Sequence, residues 1–202
     1  TFGDDPDLVA EVHKQLVEGF QKTRAGSFSL TDKSVALTTK HFPGNGVAPR
    51  GVDSHDGKGK WANYTTPNSL SWHVKPFQAA IDAGTSSIMT YYQIPDSTVE
   101  QLPKSFWFSA DKQFEAVGLA YNKKVLDWLK ADKSQGGLGF KGYINTDSRI
   151  TIAEGQPHGV ENLTPQQRVE KVVNAGIDIL SIANCEFKKE LNHLPFIPQP
   201  VT

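Results

Sequence analysis

Cysteine is nearly missing from this chain. Cys185 stands alone, so no internal disulfide can form and the core must hold without covalent staples. Long apolar runs are missing as well. No stretch approaches the ~20 consecutive apolar residues that a membrane span needs, and Thr1-Phe2-Gly3-Asp4-Asp5-Pro6 has neither the basic nor the apolar region of a signal peptide. An excess of one charge is also lacking: 21 basic against 22 acidic residues give a formal net charge of -1. Such a surface has no field to recruit nucleic acid or an anionic membrane, and a neutral partner suits it better. The compartment stays open, with a secreted or periplasmic location favoured. The sequons Asn63-Tyr64-Thr65 and Asn162-Leu163-Thr164 permit N-glycosylation, but such triplets are common by chance.

What is present is an alternation of helical and strand patterns across a length that suits one globular domain. Asp5 can cap a first helix, Pro6 suits its first position, and Leu8, Val9, Val12, Leu16, Val17 and Phe20 form its apolar stripe up to about Gly26. Ser34 to Phe42 is rich in β-branched residues and stops at Pro43-Gly44, which predicts a buried strand with Lys40 and His41 at its C-terminal end. The polar, Gly-rich stretch from Gly44 to Ser69 reads as a long loop. A helix from Trp72 to Gly84 and a strand over Ser86–Tyr91 follow. After a second irregular stretch from Pro95, Tyr121, Val125, Leu126 and Leu129 mark a helix that Gly136-Gly137 breaks. Gly142–Thr146 is a strand candidate ending at Asp147. Thr164 and Pro165 open a last helix through Val173, and Ile177–Ile182 is a last strand. Strands separated by helices pair in parallel, and ligands then bind at their C-terminal ends. About four strands are legible where a closed (β/α)₈ barrel has eight. The chain therefore reads as α/β, part of a (β/α)₈ TIM-type barrel, with other segments or another chain expected to cover the sheet edges.

On this map Lys40, His41, Met89, Tyr92 and Asp147 fall at or just beyond the ends of three strands. A plainer alternative is open on spacing alone: Lys40-His41 as a solvated strand end, Asp147 as a turn cap and Met89 as core.

Four segments, in order, resemble the catalytic barrel of family 3 glycoside hydrolases over most of the chain. Thr1 to Val9 resembles that family's TFGEDPxLV segment, and Lys40-His41-Phe42-Pro43-Gly44 its KHFPG strand end. Gly139 to Asp147 is similar to its GFxGxxxSD motif, and Asn174 to Leu180 to its NAGxDxx segment. The resemblance implies a retaining exo-β-glycosidase, most nearly a β-glucosidase, with Asp147 as nucleophile and no cofactor or metal. It implies further that Lys40 and His41 bind sugar hydroxyls, and that Met89 and Tyr92, matching an MxxY pattern, line the same subsite. A carboxylate suits that work, because it can attack an anomeric carbon and leave a glycosyl-enzyme for water to hydrolyse. The chain departs from the family in two places: Thr146-Asp147-Ser148 replaces the frequent Ser-Asp-Trp, and nothing matches the opening strands that carry a sugar-gripping Asp.

Nor does any Glu here match the acid/base that many members draw from a second domain. Asp53-Ser54-His55 is similar to the Asp-Ser-His of the family's bacterial β-N-acetylglucosaminidases, in which the His transfers the proton and the Asp orients it. Gly51 to Lys60 also resembles the GxDPHxxxGK loop of a β-glucosidase-like branch, where that His shapes the pocket. His55 is thus a candidate catalytic residue with two readings. A non-catalytic carbohydrate-binding or assembly subunit is the rival from another class. Trp61, Tyr64 and Trp107 are candidates to stack on sugars or to plug the barrel edge. His158 reads as a solvated loop residue, His13, His73 and His193 as ordinary histidines, and Asp178 as structural.

Overall fold

The computed structural model describes residues 2–22, 30–64, 69–96, 114–152 and 157–181. Helix α1 (Pro6–Gln21) begins as its sequence dictates: the Asp5 carboxylate accepts from the amides of Asp7 (2.8 Å) and Leu8 (3.3 Å), and Pro6 opens the first turn, where no amide is needed. It ends at Lys22 in the left-handed conformation, short of Gly26. Of its apolar stripe, Val17 is buried with Ala80 of helix α2 (Ser69–Asp82), while Leu8 and Phe20 remain exposed.

Strand β1 (Thr38–Phe42) is shorter than the β-branched run that predicts it. The cause is the buried side chain of Gln21. Its Oε1 accepts from the amides of Leu37 (3.0 Å) and Ser86 (2.9 Å), its Nε2 donates to the Gly84 carbonyl (2.6 Å), and Ser34 Oγ donates to its own carbonyl. The Leu37 amide is thereby satisfied by the end of α1 instead of by a neighbouring strand, while the Leu37 carbonyl still accepts from the Ser87 amide of the next strand in the sheet (3.1 Å).

After β1 come β2 (Trp61–Ala62), β3 (Ser87–Thr90), β4 (Ile94–Pro95) and β5 (Tyr143–Asn145); β1, β3 and β5 form one parallel sheet in that order. Thr39, Ile88 and Ile144 lie in register on one face, Lys40, Met89 and Asn145 on the other. The pairing shifts between Lys40 and Phe42, so that Phe42 stands opposite Thr90. Phe42 is fully buried, edge-on to Phe77 of α2 (ring centroids 5.3 Å apart) and 6.0 Å from Trp128 of helix α3 (Lys123–Lys130). Truncating such a residue costs about 3–5 kcal/mol.

The expected last strand is reduced, within the described residues, to one parallel bridge between Asn145 and Ile179. Side chains replace parts of the ladder there: Asp178 Oδ2 accepts the Ile144 amide (2.7 Å), and Thr146 Oγ1 accepts the Ser181 amide (2.9 Å). Lys130 Nζ, 3.2 Å from the same Asp178 oxygen, also donates to the Gly142 carbonyl, so Asp178 sets the start of β5.

Two further elements differ from the sequence reading. Tyr121 lies in a 3₁₀ turn (Leu119–Tyr121) ahead of α3, because Asn122 caps the helix through the Val125 amide (3.4 Å). The stretch after Gly44 is not wholly irregular: it holds 3₁₀ turns at Pro49–Gly51 and Gly57–Gly59, and β2, which pairs in parallel with β4. Helix α4 (Pro165–Ala175) has a reciprocal cap between Thr164 and Gln167 and stops at Gly176, whose φ of 109° suits a residue without a side chain. From α4 the buried Arg168 donates to the carbonyls of Val160 (3.1 Å), Thr151 (3.2 Å) and Glu161 (2.8 Å). Among the described residues no helix is long and apolar enough to cross a membrane.

Candidate active site

Parallel strands deliver their C-terminal ends to one edge of the sheet. There β1 ends in Lys40, His41 and Phe42, β3 runs out into Tyr91 and Tyr92, and β5 leads to Asp147. His41 Nε2 lies 3.1 Å from Asp147 Oδ2, spanning the position of β3 between them. The Ser148 amide donates to the other carboxylate oxygen (2.6 Å), and Tyr92 donates to the Ser148 carbonyl (2.9 Å). The peptide bonds Lys40–His41 and Phe42–Pro43 are cis.

Burial pushes the Asp147 carboxyl up, but His41, the Ser148 amide and the Tyr92 hydroxyl together outweigh it and hold it below the ordinary carboxylate range. Asp147 is therefore a half-buried carboxylate kept ionised by donors. Tyr92 moves the other way, pushed up by burial and by the negative charge of Asp147, so its hydroxyl stays a donor. Lys40 and Met89 share the sheet face and register of Asn145, two residues before Asp147. Lys40 and His41 also border a cavity of about 590 Å³ that reaches between α1 and α2 past Trp72 and His73.

Asp53 and His55 approach the same edge from the turn before the second 3₁₀ turn. His55 Nδ1 lies 2.6 Å from Asp53 Oδ1, which also accepts the His55 amide (2.8 Å). That amide, then the His55 ring and the Tyr91 hydroxyl, lower the Asp53 carboxyl against the opposing effect of burial. Because Nδ1 donates to Asp53, Nε2 of His55 is left for other work. The His55 ring packs 4.7 Å from that of Tyr92. The turn is tight: a Cβ on Gly59 would meet the carbonyl oxygens of Asp53 at 2.3 Å and Val52 at 2.4 Å.

Sequence reasoning missed two residues here. Tyr91, read as strand, donates to both Asp53 oxygens (3.1 and 3.0 Å) while its ring lies 4.4 Å from that of His41. His158, read as solvated, is buried, and its Nε2 donates to the Ser54 carbonyl (2.9 Å), pinning the same turn. Of the aromatic candidates, Tyr64 is buried in the core, Trp61 is exposed with Lys60 Nζ 5.8 Å from its ring, and Trp107 lies outside the described residues, as do Cys185 and His193. His13 and His73 pack among aromatic rings, the first donating to the Pro76 carbonyl (3.3 Å). Among the described residues no group of three or more His, Cys, Asp or Glu is placed to hold a metal.

A donor-held carboxylate at the C-terminal edge of a parallel sheet, in a chain that alternates helices and strands, is the arrangement of the β/α-barrel class. The chain belongs to glycosyl hydrolase family 3: residues 1–195 match the model described as the N terminal domain of that family. It is 36% identical over 195 residues to a periplasmic beta-glucosidase/beta-xylosidase of Dickeya chrysanthemi, covering 88% of this chain and 27% of that protein. A solved β-glucosidase involved in saponin metabolism from intestinal bacteria shares its fold with a TM-score of 0.65 at 23% identity, covering 94% of this chain and 21% of that one. A family 3 β-N-acetylglucosaminidase from Paenibacillus sp. str. FPU-7 gives a TM-score of 0.59 at 25% identity, covering 94% of this chain and 30% of that one. The chain thus spans about a quarter of the length of the β-glucosidase relatives it matches.

Proposed function

We propose that the protein carrying this chain is a retaining exo-β-glycosidase, β-glucosidase-like in substrate, with Asp147 as nucleophile. The observation that carries this is the 3.1 Å pairing of His41 with a half-buried Asp147 that is held ionised. A carboxylate in that state attacks the anomeric carbon as the glycosidic bond breaks, giving a glycosyl-enzyme that water hydrolyses with net retention. Lys40, His41, Met89 and Tyr92 form the wall that orients the sugar, and the gain from such orientation is entropic. The Dickeya relative, named as a β-glucosidase/β-xylosidase and as periplasmic, supports the substrate class and a secreted or periplasmic location. The chain is one partial barrel domain, completed by further segments or by another chain. A 2-deoxy-2-fluoro glycoside tests the proposal: it should label Asp147 and no other residue, and the first product seen by NMR should keep the anomeric configuration. A label elsewhere, or inversion, rules it out.

A second reading makes His55 the acid/base, as in a β-N-acetylhexosaminidase, and the 2.6 Å Asp53–His55 contact favours it. Such a pair fixes the tautomer and leaves Nε2 to exchange a proton with the leaving group. In the first reading His55 shapes the pocket against Tyr92.

A further inference from the structure

Tyr91 has no part in either reading so far, yet, like its neighbour Tyr92, it touches both histidine–carboxylate pairs. It is 3% exposed at the end of β3. Its ring faces His41, the partner of Asp147, and its hydroxyl reaches both oxygens of Asp53, the partner of His55. Among the described residues, the other donors to the Asp53 carboxylate are the amide and ring of His55, only two residues away. Such local bonds fix the turn internally but do not say where it sits. Tyr91 is different, because it ties the carboxylate to the end of the sheet. The His158 bond to the Ser54 carbonyl is a second tie.

We propose that Tyr91 is a positioning residue that docks the Asp53–His55 turn onto the sheet and sets the distance of His55 from the Asp147 centre. The proposal rests on the reading of this edge as the catalytic site. It assigns Tyr91 no contact with the sugar: its hydroxyl acts through Asp53, and its ring keeps His41 in place. Misplacement of a side chain by about 1 Å can lower rates by about 10²-fold.

Tyr91→Phe in the complete enzyme removes the hydroxyl and keeps the ring. The variant should lose rate by roughly 10- to 100-fold, with the same dependence on leaving group as His55→Ala, and the double variant should lose no more than His55→Ala alone. Labelling of Asp147 by an activated 2-deoxy-2-fluoro glycoside should continue in the variant, because the His41 contact is kept. A crystal structure of Tyr91→Phe should show the Asp53–His55 turn displaced from Tyr92. Wild-type rates with an undisplaced turn overturn the proposal, and so do fully additive losses in the double variant. Silence of His55→Ala beside a displaced turn in Tyr91→Phe has a separate meaning: the positioning holds, and the catalytic importance of His55 fails. Absence of labelling at Asp147 in the wild type instead sinks the nucleophile assignment, and the displacement of the turn still decides for or against Tyr91.

Discussion

Two histidine–carboxylate pairs stand at the same edge of this sheet, and they are built in opposite ways. His41 and Asp147 come from strands on either side of β3, and their side chains are 22% and 14% exposed at 3.1 Å. Asp53 and His55 are two residues apart in one turn, 60% (His55) and 56% (Asp53) exposed, and closer at 2.6 Å. The shorter contact is the weaker constraint. Local geometry places it, and water screens its charges, so breaking it changes little beyond the turn itself. The longer contact exists only if three strands are in register, and it acts where the dielectric is lower.

The contrast would be broken first at Asp147. Asp147→Asn should reduce turnover by about 10⁴-fold or more, as loss of a nucleophile does, with folding intact by circular dichroism; a variant that keeps a tenth of the activity removes Asp147 from the mechanism. Next comes His55→Ala. If the exposed pair only shapes the pocket, glycosides with good and poor leaving groups should slow together, by up to about 10²-fold. A loss of 10²–10⁴-fold confined to poor leaving groups would transfer proton exchange to His55 and favour the hexosaminidase-like reading.

His41→Gln should have a smaller effect on the optimum, about tenfold, and a diagnostic one on pH. Removing His41 takes away the main influence that lowers the Asp147 carboxyl, so the acidic limb of the rate profile should move to higher pH. The same linkage touches folding. A carboxyl depressed in the native state adds stability above its unfolded value near ~3.9, lost as the pH falls through the native value; the variant should lose less on acidification. An unmoved acidic limb means that His41 does not govern Asp147. The smallest effect is expected at Asp178, at the other end of the same sheet. Asp178→Asn should lower stability by about 1 kcal/mol, through one lost charged contact and a weakened bond to the Ile144 amide, and leave kcat/KM unchanged in a steady-state assay.

Much of the scaffold was legible because its signals are local. Asp5 with Pro6, and Thr164 with Gln167, carry their own caps, and each β-rich run ends where a polar residue or turn begins. His41 and Asp147 were legible as strand ends, which in a parallel sheet share an edge. What escaped has partners that leave no trace in the neighbouring sequence. His158 looks like a loop residue because the carbonyl it serves belongs to Ser54, 104 positions earlier. Tyr91 looks like one more residue of a buried strand, since alternation reports burial and not what a hydroxyl meets. The strand expected from Ser34 was overextended for the same reason: Gln21, far upstream, satisfies the backbone there.

Arg168 carries a consequence for anyone exchanging parts between members of this family. Its guanidinium grips three carbonyls of the segment that follows the Asp147 turn, while its own backbone belongs to α4. Thr151, Val160 and Glu161 are therefore fastened to the helix that follows them. A chimera that swaps the loop alone strands a buried cation among foreign carbonyls; one that moves Thr151 to Arg168 together keeps lock and key in the same piece, so the natural unit of recombination at this edge is loop plus helix.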